Sequence, residues 1–525
     1  MKKVSNLKSV LGIMALVFSG AFFIYILKFA GGADIWYDEV FSLMFAKGSV
    51  SDIVRATARD VHPPLYYIYL KAFTFLFIKI MGEGYFFIAA KSASLIPFAA
   101  LLIVDIVYIR KKFGLFASGI FALFLSVMPQ IPVYYLEIRM YSLSLLFVTL
   151  LVLVAERLVN GDVSGAVSQP FEHSIAKDVP YREKRHQWLY AAFWLLGILT
   201  AYTQYYACIA VIGIYVVTII LLLLKRDDCG KKGAAWILFG AILSCVMYLP
   251  WIPILLDQMK NISGSYWIQP LTIRSIAGCV KFVTLPEGNT SKNAYVCVGL
   301  MLFSILAAFL MSIKKGDSRK KLWRYFFIMT SPAVFVVISG FILSALGTPI
   351  FVYRYLIPTL GAFWLFIAII LDKAIDRIWP FLLIIPFILV GEMNIKGFCY
   401  EEQKKVDAAP KAFEAINEIP ENSVIITNFD HVTAVISYYR PDCSVYLYEA
   451  PIDRLLSEGL GNITELTKDE DVKELVASNA DVYFLGSFNS REEIVEHWKE
   501  LGISSDLLGE ALVERYWINF YRLHP

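Results

Sequence analysis

DIWYDEVFSLMFAKGSVSDIVRATARDVHPPLYY, residues 34–67, is a polar passage set between apolar segments, and its reading decides the fold. Asp38 and Glu39 are adjacent acids that follow the apolar run 10–27. A carboxylate at the depth where lipid gives way to water keeps its charge cheaply, whereas one at mid-bilayer costs about 2.5–3.5 kcal/mol on insertion scales. These acids therefore belong at a membrane surface. His62, Pro63 and Pro64 close the passage, after which the chain turns apolar again. Successive prolines donate no backbone hydrogen bonds, so they stop one element and aim the next.

Outward from this stretch, composition sets the class. The chain is 58% hydrophobic and rich in Phe and Tyr, which reads as a polytopic membrane protein of mainly α-helical fold. A net charge of +3 argues against a nucleic-acid partner. The seven cysteines are scattered. Cys208, Cys245 and Cys297 fall in apolar runs as small hydrophobes, and Cys399 and Cys443 would pair only in an oxidising compartment. Lys2, Lys3 and Lys8 precede the run 10–27, which is long for a signal segment and reads as a retained anchor.

Ten further apolar stretches are long enough to cross, with cores near 86–109, 115–131, 140–158, 188–203, 206–224, 234–256, 294–313, 325–346, 356–371 and 379–390. The apolar stretch 64–81 is left out for a reason. If it crossed, the basic cluster at 110–112 would share a side with Asp38, and every later basic loop would flip with it. If it lies along the interface, with Lys71 and Lys79 snorkelling, the N-terminus and the basic clusters at 110–112, 182–185, 225–232, 314–321 and 373–377 all become cytoplasmic. The expectation is about eleven crossings, with the N-terminus inside and the C-terminus outside. Residues 1–394 then form a transmembrane module in the plasma membrane of a bacterium.

Residues 395–525 have soluble character and form an extracytoplasmic accessory domain of α/β type. Strands are expected at 423–427, 444–448 and 481–485, helices at 431–439 and 471–478, and a hairpin from 506–513 and 516–523. Asp430 is expected as a helix N-cap. The outer loop 257–292 carries Tyr266 and Trp267, either a plain connector or an aromatic lid.

Five short elements recur in a fixed order: Tyr37-Asp38-Glu39, HPPLYY at 62–67, EIRMY at 137–141, YTQYY at 202–206 and RYLIP at 354–358. Together they resemble the GT-C superfamily of lipid-linked-sugar glycosyltransferases, in the bacterial branch of the protein O-mannosyltransferases and aminoarabinose transferases. The resemblance implies transfer of a sugar from a polyprenyl-phosphate donor to a glycan, lipid or protein acceptor at the outer membrane face. It makes Asp38 the general base, with Glu39 beside it to orient the base or the acceptor, and Glu137 a second-loop carboxylate facing them. Arg139, Arg354 and His62 become ligands of the lipid phosphate, since guanidinium meets phosphate bidentately. Tyr141, Gln204, Tyr205 and Tyr355 fall in the substrate pocket. Where the family pattern has His in YTHYY this chain has Gln204, which neither titrates nor carries charge.

The chemistry needs few parts. General-base help is worth about 10²–10⁴-fold, and the departing phosphate needs positive charge where its own charge grows. No cofactor is required by the residues; a divalent metal shared by Asp38 and Glu137 stays open, as in some superfamily members. The competing reading is a transporter or lipid flippase, which would place its polar residues at the midplane and show an inverted repeat.

Overall fold

The structure is a computed structural model that describes residues 2–32, 34–161, 179–262, 271–314, 319–346, 349–457, 459–478, 481–488, 490–513 and 515–525. Tyr266 and Trp267 lie outside the described residues. Among the described residues, nine helices are long and apolar enough to cross a membrane, and two shorter apolar helices, Leu115–Val127 and Gln187–Ala201, stand beside them. These coincide with the crossings expected from hydropathy.

The helices divide into a centre and a rim. Tyr141–Asn160 and Tyr353–Ala374 are 72% and 83% buried, against 17% for Asp228–Lys260. The rim helices turn large side chains such as Ile24, Ile103 and Phe303 outward, as helices apolar all round do when lipid is their solvent. Two of the expected site elements, 137–141 and 354–358, thus lead into the two most enclosed helices.

The stretch 65–81 forms a separate helix, Leu65–Met81, that is not among the spans. Tyr66, Tyr67 and Leu70 face inward while Phe75, Leu76 and Ile80 face out. The Tyr69 hydroxyl donates to the Ala93 carbonyl at 2.8 Å, tying this helix to Phe86–Val104. Gly82 ends it at φ 103°, a left-handed backbone that side chains resist.

Helix Ile385–Asn417, 33 residues long, carries the chain from the bundle to the C-terminal sheet without a break, and residue 395 lies within it. The sheet holds β1 (Val424–Thr427), β2 (Ser444–Tyr448), β3 (Ile463–Leu466), β4 (Val482–Ser487), β5 (Ser504–Val513) and β6 (Tyr516–His524) in the order β3-β2-β1-β4-β6-β5. The first four run parallel, with helices such as Asp430–Tyr439 and Asp469–Ser478 as crossovers; β6 and β5 close the edge as an antiparallel hairpin. Asp430 is the first helical residue rather than the cap, and its carboxylate accepts from the His431 N–H at 2.8 Å. Cys399 and Cys443 are both free thiols.

Helix Lys2–Ala30 crosses Leu115–Val127 at backbone contact. A Cβ on Gly12 would stand 2.7 Å from the Leu115 carbonyl oxygen, and one on Gly119 would overlap the Gly12 backbone. Small residues let membrane helices approach this closely. Gly119→Ala should therefore destabilise the purified protein by about 1–3 kcal/mol, read as a lower melting temperature in detergent. Gly20→Ala, where nothing lies within 4 Å, should melt as wild type; equal losses in the two variants would contradict this packing.

Candidate active site

The two acids open a helix. Helix Tyr37–Lys47 begins with Asp38 and Glu39 in its first turn, where acids suit the exposed N–H groups and the dipole. The Glu39 N–H donates to the Trp36 carbonyl at 2.8 Å and the Trp36 N–H returns a bond to Glu39 Oε2 at 3.2 Å, fixing the start. Helix Val50–Arg59 follows, with Ser49 and Asp52 as its capping box. The chain then passes Asp60 and His62 and is redirected by the prolines into Leu65–Met81.

Asp38 is not in an open polar loop, as the sequence suggests, but buried at 8% exposure. Arg354 Nη1 donates to its Oδ2 at 3.1 Å, and Arg139 Nη2 lies 3.9 Å from the same oxygen. Arg139 Nη1 also donates to the Asp38 carbonyl at 3.1 Å. Residues more than a hundred and three hundred positions apart thus converge on one carboxylate. Three of the five elements meet directly here, and a fourth joins through His62, which Arg139 bonds.

His62 supports Arg139. Arg139 is a donor only, so its Nη2 donates to His62 Nε2 at 3.1 Å, which leaves the proton of the ring on Nδ1, 3.3 Å from Asp60 Oδ2. Burial, reinforced by Arg139, lowers the His62 pKa despite the pull of Asp60. Burial works against the Asp60 charge too, but His62 and Arg139 outweigh it and hold that carboxyl below its usual range. His62 therefore stands as a neutral ring whose Nε2 accepts from Arg139 while its Nδ1 faces Asp60. Asp60 is a residue that sequence reasoning missed.

Lys91 is another. It is 5% exposed and donates to Glu39 Oε1 at 2.5 Å, while the Ile138 N–H donates to the same oxygen at 2.8 Å. With Trp36 on Oε2, Glu39 ties three segments together: its own helix start, the span Phe86–Val104 and the loop of Glu137. The signal was present, since a lone lysine five residues into an apolar run must find an anion.

Glu137 is buried, with Oε2 lacking a hydrogen-bond partner. Burial pushes its carboxyl up to about 7, against the pull of Arg354 and with the repulsion of Asp38 and Glu39.

On the other flank a cavity of about 320 Å³ is lined by His62, Gln204, Tyr205 and Tyr355 at its polar end and by Ile209, Leu255 and Leu343 elsewhere. Both side-chain atoms of Gln204 are buried there without a hydrogen-bond partner. Tyr355 stacks on Tyr206, with centroids 4.3 Å apart. The Tyr205 hydroxyl is engaged elsewhere, donating to Gln258 Oε1 at 2.5 Å and accepting from Trp251 Nε1 at 2.9 Å. Tyr141, at the head of its central helix, packs edge-on against Tyr134.

A divalent metal does not suit this donor set. Asp38 and Glu137 have Arg354 within electrostatic reach, and among the described residues no group of three His, Cys, Asp or Glu could hold an ion.

No protein-family model matches the chain, and no curated protein does either. Two crystal structures of ArnT from Cupriavidus metallidurans share the fold. The apo form aligns at TM-score 0.58 and 12% identity, and the form bound to undecaprenyl phosphate at 0.56 and 10%, each over 97% of both chains. The polytopic helical architecture with its C-terminal α/β domain is therefore that of a solved protein, along nearly the whole length.

The raised Glu137 carboxyl makes stability depend on pH. Between its ordinary value of 4.5 and its folded value of about 7, the folded chain binds more protons at this residue than the unfolded chain. Its contribution is thus full below that window and lost as pH rises through 7. The melting temperature of wild type relative to Glu137→Gln should fall between about pH 5 and pH 8. A difference that stays level, or grows in favour of wild type, would show that Glu137 is ionised throughout.

Proposed function

We propose that the protein transfers a sugar from a polyprenyl-phosphate donor to an acceptor hydroxyl at the outer face of the membrane. The observation that carries this reading is Asp38, held by Arg354 and near Arg139, with Arg139 bonded to His62, which lines the polar end of an apolar cavity. The cavity suits the first isoprene units of a lipid, and the two guanidinium groups suit its phosphate. The complex of ArnT with undecaprenyl phosphate, on the same fold, supports that class of carrier.

The acceptor oxygen attacks the anomeric carbon, its proton passes to the Asp38 carboxylate, and the bond from that carbon to the phosphate oxygen breaks. The electron pair leaves with the polyprenyl phosphate, where Arg354 and Arg139 meet the growing charge. Glu39, saturated by its three donors, holds the helix start rather than moving a proton. Gln204, Tyr205 and Tyr355, which line the cavity, and Tyr141 are the side chains assigned to the sugar or phosphate. Residues 1–394 supply these groups, with the N-terminus cytoplasmic and 395–525 outside, as the basic loops require. A carrier would set its charges mid-span; here Asp38, His62, Glu137 and Arg139 all sit at or between helix ends.

Asp38→Asn keeps the shape of the side chain and removes the base, so transfer should fall by at least about 10²-fold. Because the substitution also leaves two arginines without their anion, melting should be measured alongside and rates referred to folded protein. Arg354→Ala should weaken donor use at every acceptor concentration. Purified protein given a labelled lipid-linked sugar should release polyprenyl phosphate only when acceptor is present. A carrier releases none, and a hydrolase does not wait for the acceptor; wild-type rates in both variants would also defeat the assignment.

A further inference from the structure

We infer that the C-terminal domain is a positioning element of the active site, acting through a clamp on residues 34–37. This rests on the transferase reading. The absence of motifs beyond residue 400 makes the domain look accessory, yet its contacts fall on the four residues that precede Asp38. The Tyr439 hydroxyl donates to Asp34 Oδ1 at 2.5 Å, the oxygen that also accepts from the Ile35 N–H at 2.7 Å. The His431 ring stacks on Tyr37, centroids 3.9 Å apart and planes 15° from parallel. The guanidinium of Arg515, in the β5–β6 turn, stands 4.6 Å over the Trp36 ring.

Each contact has backing on the domain side. His431 is held between Phe429, at 4.7 Å, and Tyr516, whose hydroxyl is 3.4 Å from Nδ1. Tyr439 is braced by Phe413 of the long helix, edge-on at 5.0 Å. The buried apolar cluster of the bundle runs on through Val432, Val435 and Leu447, so the domain is packed on rather than tethered.

The lever is short. Trp36 is the N-cap and Tyr37 the first residue of the helix whose second residue is Asp38. At about 100° of turn per residue, a small change in how the chain enters that helix swings the carboxylate off Arg354. Misplacement by about 1 Å can cost 10²-fold in rate. A hydroxyl, a stacked ring and a cation on an indole fix direction as well as distance, which apolar packing alone does not.

The test uses the full-length protein in membranes, with the cell's own radiolabelled lipid-linked sugar fraction as donor and the endogenous acceptor. His431→Ala and Tyr439→Phe should each lower kcat by about 10-fold or more while KM for the donor stays within about 2-fold. His431→Phe, which restores a flat ring for Tyr37, should recover most of the rate. In the purified protein, hydrogen exchange at the amides of 35–41 should quicken in the first two variants and not along 141–160. Wild-type kcat in both variants overturns the clamp, whether or not exchange changes, provided Asp38→Asn is inactive in the same assay. If Asp38→Asn is active too, the transferase reading itself has failed and the clamp falls with it.

Discussion

Charges buried at one end of an apolar bundle must match, and this requirement organises the rest of the molecule. Asp38, Glu39, Asp60 and Glu137 meet Lys91, Arg139 and Arg354, with His62 lowered toward its neutral form. Four carboxyls face three cations. The mismatch is relieved at Glu137, whose carboxyl sits near 7 and so carries a proton much of the time. Removing any one partner would leave its opposite desolvated, which costs several kcal/mol, whereas the complete set is self-consistent. The cluster therefore specifies how the first loop, the span Phe86–Val104, the 137–141 turn and the helix beginning at Tyr353 come together.

Much of this was legible in the sequence because the signals are local. A membrane span is a run of apolar residues, and each expected crossing returns as a helix. The exclusion of 64–81 came from the sign of loop charges, and the stretch is a helix with one face packed and the other outward. β1, β2, β4 and the hairpin followed from alternation and turns, β3 was not anticipated, and all six pair as a single mixed sheet. Four of the motif elements hold residues linked to Asp38 directly or through Arg139, while Gln204 and Tyr205 of the remaining one line the neighbouring cavity.

What was not legible is pairing at long range. Lys91 reads as part of a span and His431 as part of a helix, because their partners are distant in sequence: Glu39 is 52 residues from Lys91, and Tyr37 meets His431 only through the fold. Burial was misjudged for the same reason. Asp38 reads as exposed when its neighbours are polar, but the arginines that cover it arrive from elsewhere in the chain. The contact of His62 with Arg139 was equally out of view, since 77 residues separate them.

The separation between partners also sets an order of events during synthesis. Arg354 lies 316 residues after Asp38, and Tyr439 lies 405 after Asp34. At about 5–20 residues per second, the ribosome has left Asp38 behind for roughly 15 to 60 s before its arginine is made, and for longer before the last domain folds. An acid at mid-bilayer would be a poor passenger for that interval; one at the water boundary waits at little cost. Placing Asp38 at the head of a short helix outside the spans lets an early-made acid remain hydrated until the chain is finished, so that, under the proposed function, a truncated nascent protein already lodged in the membrane would have no assembled site with which to consume a donor.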